Sequence, residues 1–273
     1  MRKFLILLLF FTCSISLFAC NPFWVKADKK LIKGIVALDK NNPAEIAHFF
    51  ISQTIHKSNT TKKNLGFGWE IWRSGIGSGY IGISATFIYH NDSVVSYSIN
   101  PKMPKEKALI KRYKKWYLEE FEFESSQIQP IVYHKYFVEK PLKYYDGKLT
   151  ERSTPQQIAH YMSPFSGTTY GDKILGLVDS YLTNRKAFLS IKDNLTTEQV
   201  ILMMYSINPA SRFTAIEYYM KNKADFNNTE KIEEWIEINY KEIPNINISG
   251  GCSRVLSVET RTLVEMISKM DTE

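Results

Sequence analysis

Cysteine is scarce in this chain: 273 residues contain only Cys13, Cys20 and Cys252. No arrangement of these with the five histidines has the spacing of a zinc site, and no metal is expected. Also missing is an apolar run of about 20 residues, the length needed to cross the hydrocarbon core of a bilayer. There is no G-x-S-x-G elbow and no H-R-D loop, which removes the α/β-hydrolase and kinase signatures. No fixed residue period or repeat consensus appears. No cofactor motif survives a check of its surroundings.

What the chain does have begins at its N-terminus. Arg2 and Lys3 precede an apolar run from Phe4 to Phe11, followed by Thr12, Cys13, Ser14, Ile15 and Ser16. A short apolar run behind a basic start reads as a removable secretory signal rather than a membrane span. The run closes on Leu17-Phe18-Ala19-Cys20, which resembles the bacterial lipobox, although Phe18 is bulkier than that family carries there. The resemblance covers only residues 1 to 20. It implies diacylglycerol on Cys20, a mature N-terminus at that residue and attachment to a membrane of the bacterial cell envelope, on the periplasmic face of an outer membrane or at the cell surface. The alternative is an ordinary signal peptide cut after Ala19. Both place the protein outside the cytoplasm, where nucleic acid is not an expected partner.

With Cys13 removed and Cys20 acylated, Cys252 is the only free thiol, so no intramolecular disulfide is available. Removal of 19 residues leaves 254, enough to bury a sizeable core without one. Hydrophobic residues make up 44% and charged residues 23%, a globular composition. The precursor carries a formal net charge of +7; losing Arg2 and Lys3 leaves 33 basic against 28 acidic residues, a mild excess of +5. That bias suits anionic lipid headgroups, and equally a soluble body kept soluble by its lysines.

Patterning gives an α+β fold. Residues 20–42 read as the lipidated terminus and, in part, a tether. Asn42 and Pro43 then start a helix, with Ile46, Phe49 and Phe50 at helical spacing. From residue 65 the period changes to two: Phe67, Trp69 and Ile71; Ile83, Ala85, Phe87 and Tyr89; Val95, Tyr97 and Ile99. His90-Asn91-Asp92-Ser93 predicts a hairpin between the second and third of these strands, and Ile131–Val138 with Leu142–Tyr145 predicts a further pair. Residues 104 to 122 read as a helix packed on this antiparallel sheet, with Leu109, Tyr113, Trp116, Tyr117 and Phe121 on one stripe. Residues 43–150 are thus an α+β region. Residues 151–273 read as helical, a bundle or stacked helical hairpins, with starts marked at Thr154, Asp172, Thr196, Asn208, Thr229 and Ser257.

Candidate chemistry is thin. Gly77-Ser78-Gly79-Tyr80-Ile81-Gly82 has the G-x-G-x-x-G form, but the segment after it reads as a strand, so it is a glycine-rich connection rather than a phosphate cradle. His48 and His56 stand eight residues apart, not four, and read as solvated or packing side chains. Ser249-Gly250-Gly251-Cys252-Ser253 displays a thiol shortly before the final helix, which makes Cys252 the one candidate nucleophile; a structural cysteine is the preferred reading. Glu119 with Glu120 and Glu233 with Glu234 point about 100° apart on their helices and read as solvated charges. Trp72, on the strand face opposite Trp69 and Ile71, and Tyr80 are candidate aromatic contacts for a ligand. Lys111, Arg112 and Lys115 are candidate contacts on the basic first part of the 104–122 helix.

The expected function is therefore a non-catalytic envelope lipoprotein that binds a protein or an envelope component. The alternative is a hydrolase or transferase acting on envelope material through Cys252.

Overall fold

The computed structural model describes residues 21–53, 61–102, 104, 106–107, 109–111, 113, 131–134, 156–171, 181–250 and 254–270. Its elements are α1 (Pro22–Val36), α2 (Pro43–Ser52), β1 (Thr61–Gly66), β2 (Trp69–Gly77), β3 (Gly82–His90), β4 (Ser93–Lys102), β5 (Ile131–His134), α3 (Gln156–Met162), α4 (Thr183–Leu189), α5 (Thr197–Met203), α6 (Pro209–Lys221), α7 (Thr229–Glu242), β6 (Asn245–Gly250), β7 (Arg254–Glu259) and α8 (Thr260–Ser268). One sheet runs in the order β1-β2-β3-β4-β5, its first four strands an antiparallel meander, and β6 pairs with β7. The fold is α+β. Two compact units divide the chain: residues 1–62, 72–87 and 96–133 form one, and residues 63–71, 88–95 and 134–273 the other.

In the first unit, Asn21 caps α1 by accepting the Phe23 N–H at 3.0 Å, and Pro22 occupies the first turn. Residues 21–36, expected to be partly tether, are a folded helix because Val25, Ile32 and Ile35 repeat at helical spacing and are buried. The same face buries Asp28, with no exposed surface. Its carboxylate accepts the Tyr113 hydroxyl at 2.8 Å, the Tyr80 N–H at 2.9 Å and the Ser78 hydroxyl at 3.2 Å. The glycine-rich loop thus closes on a carboxylate of the protein itself. A Cβ on Gly79 would lie 2.6 Å from the Trp24 carbonyl oxygen and 2.8 Å from both Asp28 oxygens, so only glycine lets the loop approach this closely. The expected helix at Asn42 is α2, with Asn42 accepting the Glu45 N–H at 3.3 Å and Ile46 and Phe50 buried. Of the predicted 104–122 helix, residues 107, 109–111 and 113 are helical, and Leu109 and Tyr113 are buried.

Strand alternation follows the sequence for Trp69, Ile71, Ile83, Ala85, Phe87, Tyr97 and Ile99, all buried; it fails at the ends, where Phe67 lies in a turn and Ile88, not Tyr89, is fully buried. The predicted β3–β4 hairpin turns on Asn91 (φ 47°) and Asp92 (φ 63°), the paired positive angles of a type I′ turn. Strand β1, which the alternation did not announce, joins β2 through Gly66 (φ 81°), Phe67 (φ 54°) and Gly68 (φ 74°). A Cβ on Gly68 would sit 2.1 Å from Asn91 Oδ1.

The second unit's core centres on α6, whose residues from Pro209 to Glu217 are all buried. Phe213, Ile216, Met203, Val264 and Leu202 lie at its heart. The predicted capping box of α5 is formed: Gln199 N–H donates to Thr196 Oγ1 at 3.3 Å and Thr196 N–H to Gln199 Oε1 at 3.1 Å. The last helix starts at Thr260 rather than Ser257, because residues 254–259 pair with 245–250 in register Asn245↔Glu259 through Gly250↔Arg254. Val255, Leu256 and Val258 favour an extended backbone, and that local preference prevails. Glu259 then caps α8, accepting the Thr262 N–H at 2.6 Å. The expected starts at Thr154 and Asp172, the strand Leu142–Tyr145 and residues 135–138 lie outside the described residues.

A buried ion pair locks α4 to α6. Arg185 donates to both Glu217 oxygens, at 3.1 and 2.5 Å, with each side chain only 5% exposed, and the Tyr170 hydroxyl adds a contact at 3.2 Å. Removing one partner leaves the other charge desolvated. We predict that Glu217→Ala destabilises the protein by about 3–5 kcal/mol in chemical denaturation; a loss under about 1 kcal/mol would show that the pair is not desolvated in solution.

Candidate acidic groove

Helix α7 carries Glu230, Glu233, Glu234 and Glu237, a row at i, i+3, i+4 and i+7 that falls on one face. Ile232, Ile236 and Tyr240 of the same helix are buried, the last two at the edge of the acidic row. Packed beside it, α8 adds Glu265 and Arg261, and the end of α6 adds Tyr219 and Met220. Together with Lys223 these residues line a groove of about 650 Å³, within the range of small-ligand and peptide-side-chain sites. Five carboxylates face one lysine and one arginine.

Both cations are already engaged. Lys223 pairs with Glu233, and Arg261 pairs with Glu237 at 2.5 Å. Glu230, Glu234 and Glu265 have no ion pair among the described residues. The floor is aromatic: the Tyr219 hydroxyl donates to Glu233 at 3.4 Å, and the Arg261 guanidinium lies 4.8 Å over the ring of Tyr240. The Tyr240 hydroxyl is buried, with no hydrogen-bond partner among the described residues. Burial and then the negative charge of Glu265 push its pKa up, so it stays a neutral phenol.

Helix α7 is set in place by a ladder of flat groups. The Arg212 guanidinium lies 4.9 Å over Phe67; Phe67 stacks on Trp235 at 5.1 Å, and Trp235 on Tyr205 at 4.3 Å. The indole N–H donates to the Met204 carbonyl at 3.0 Å. Trp235 lies between Glu234 and Ile236 in the chain, so this ladder fixes the rotation of α7 and with it the direction of the acidic row.

The residues singled out from sequence lie elsewhere. Trp72 is half-exposed on β2 under Lys62, whose ammonium is 5.2 Å from the ring centroid. Tyr80 is occupied in holding α1: its hydroxyl accepts the Asn21 N–H at 2.8 Å and its ring meets Trp24 at 5.1 Å. Lys111 is exposed on its helical segment, and His48 is exposed on α2. Cys20, Cys252, Arg112, Lys115 and His56 lie outside the described residues. Glu233 and Glu234 are solvent-exposed, as expected, yet they form half of an acidic row that sequence reading overlooked by treating them as an adjacent pair. Glu230 and Glu237 at helical spacing were the available signal; the arrival of Glu265 and Tyr219 from other helices was not legible.

Among the described residues no group of three histidine, cysteine or acidic side chains is arranged to hold a metal ion, and no helix is long and apolar enough to cross a membrane. No family model, characterised protein or solved structure matches the chain.

The Lys223 ammonium holds the Glu233 carboxyl below its ordinary pKa through a hydrogen bond and charge. A depressed carboxyl stabilises the fold above its unfolded pKa, near 4.3, and loses that contribution as pH falls through the lower folded value. We predict that Lys223→Met returns the Glu233 titration upward to the ordinary carboxylate range, followed by NMR; an unmoved titration would show that the pair does not persist in solution.

Proposed function

We propose that this chain is a non-catalytic lipoprotein of the bacterial cell envelope that binds a cationic segment of a protein partner in the groove between α6, α7 and α8. The carrying observation is the set of three carboxylates, Glu230, Glu234 and Glu265, that have no ion pair among the described residues, in a groove floored by Tyr219 and Tyr240. Like charges spaced three and four apart destabilise a helix, so this row is a cost that folding alone does not require. A lysine or arginine side chain offsets it: the carboxylates take the charge, and the rings of Tyr219 and Tyr240 face its alkyl stem.

Export and anchoring rest on the basic start at Arg2 and Lys3, the apolar run after it and the lipobox-like Leu17–Cys20 segment. Diacylglycerol on Cys20 leaves the body facing water outside the cytoplasm, and two or three acyl chains make the attachment durable. Cofactors have no part in this reading.

A short oligolysine peptide serves as the probe. Replacing Glu230, Glu234 and Glu265 together by glutamine is expected to weaken its binding about tenfold at low ionic strength, with the wild-type affinity also falling as salt is raised. Circular dichroism of the variant checks that α7 and α8 remain folded. Equal binding by the folded variant and the wild type, or no binding by either, would overturn the assignment of the groove.

A further inference from the structure

Helix α1 begins two residues after Cys20, and its solvent face is unusual in composition. Phe23 is 72% exposed and Trp24 44% exposed, in the first turn, where a folded body would ordinarily bury rings of this size. Behind Phe23 on the face opposite Val25, Asp28, Ile32 and Ile35 stand Lys26, Lys30 and Lys33, all exposed. The only acidic residue of the helix, Asp28, is buried and saturated by Tyr113, Tyr80 and Ser78. The exposed face is therefore aromatic at one end and cationic along the rest.

The start of this helix is not free to swing away. Asn21 N–H is held by the Tyr80 hydroxyl at 2.8 Å, Trp24 packs edge-on to Tyr80, and Gly79 admits the loop against the Trp24 carbonyl. Three residues of chain reach roughly 11 Å at full extension, so Phe23 lies within that distance of Cys20. Any acyl group on Cys20 brings these rings to the bilayer surface.

We propose that the N-terminal turn of α1 is a membrane-seating surface: Phe23 and Trp24 enter the boundary between headgroups and acyl chains, while Lys26, Lys30 and Lys33 lie against anionic headgroups. An indole favours this depth, and basic side chains on the stripe that begins at Phe23 select anionic lipid. The inference rests on the acylation of Cys20 and adds that the lipid does not merely tether the body but sets its first unit down in a defined orientation.

The test uses the native lipidated protein reconstituted into vesicles of phosphatidylcholine and phosphatidylglycerol, some with brominated acyl chains. Intact mass is measured on the same preparation. We expect bromolipid to quench the wild-type emission, and Trp24→Phe to remove most of that quenching while the other four tryptophans continue to emit. Lys26, Lys30 and Lys33 replaced together by glutamine should at least halve the quenching. An acylated protein whose quenching is the same with and without Trp24 overturns the seating surface and leaves the anchor standing. Emission that shifts only on adding a second protein hands the face to a protein partner and also overturns it. A mature terminus without fatty acid removes the anchor and the seating surface together.

Discussion

The second unit depends on one desolvated cation. Arg212 is 1% exposed, and its guanidinium donates to the carbonyls of Ser206 at 3.0 Å and Leu65, the latter in β1, far away in sequence. Burial lowers its pKa to about 9, against the pull of Glu242, and Nε has no partner among the described residues. A charge held this way is costly unless its surroundings are fixed. They are fixed by strain elsewhere: Gly66, at φ 81°, leaves room where a Cβ would come within 3.0 Å of Nη2, and Phe67, at φ 54°, is turned beneath the guanidinium. Glu242 serves both ends, since its carboxylate also accepts the Phe67 N–H at 2.8 Å. From Phe67 the constraint passes through Trp235 to α7, so the acidic face takes its direction from a buried arginine.

The first unit treats the opposite sign by the same logic. Asp28 is as completely buried as Arg212, and three donors from two other segments meet it. Hydrogen bonding makes an interior carboxyl tolerable, and these three bonds tie α1 to the loop at Gly79. Arg185 with Glu217 is the third case, solved by mutual neutralisation. Each buried charge thus ties a helix to a loop or to another helix, and fixes position where apolar packing alone would permit sliding.

How much of this could be read from the sequence varied with the range of the interaction. The capping box at Thr196, the Asn42-Pro43 start, the Asn91-Asp92 turn and the alternation from Trp69 to Phe87 are set by neighbours within a few residues, and each appears where the pattern put it. The β6–β7 ribbon was missed because Val255 to Glu259 precede a strongly helical stretch, and the partner strand lies beyond a glycine pair. The G-x-G-x-x-G form was read as a glycine-rich connection between strands, as it is, but the carboxylate it closes on, Asp28, lies some 50 residues upstream. Tyr80 was singled out as a ligand contact and instead holds α1, since an aromatic residue's partner cannot be inferred from its own strand. The groove was invisible for the same reason: it is an agreement among three helices.

The distribution of charge decides what kind of recognition such a groove permits. The chain as a whole is basic, so at long range it repels a cationic partner rather than steering it inward. At physiological ionic strength that repulsion fades beyond about 8 Å, the Debye length, while Glu230, Glu234 and Glu265 would act within a few ångströms of an arriving ammonium or guanidinium. Attraction is therefore local. A partner bound this way gains little in association rate and owes its residence to fit against Tyr219, Tyr240 and Ile236 as well as to charge. On the proposed reading the groove therefore favours a cation on an extended stem over a bare ion.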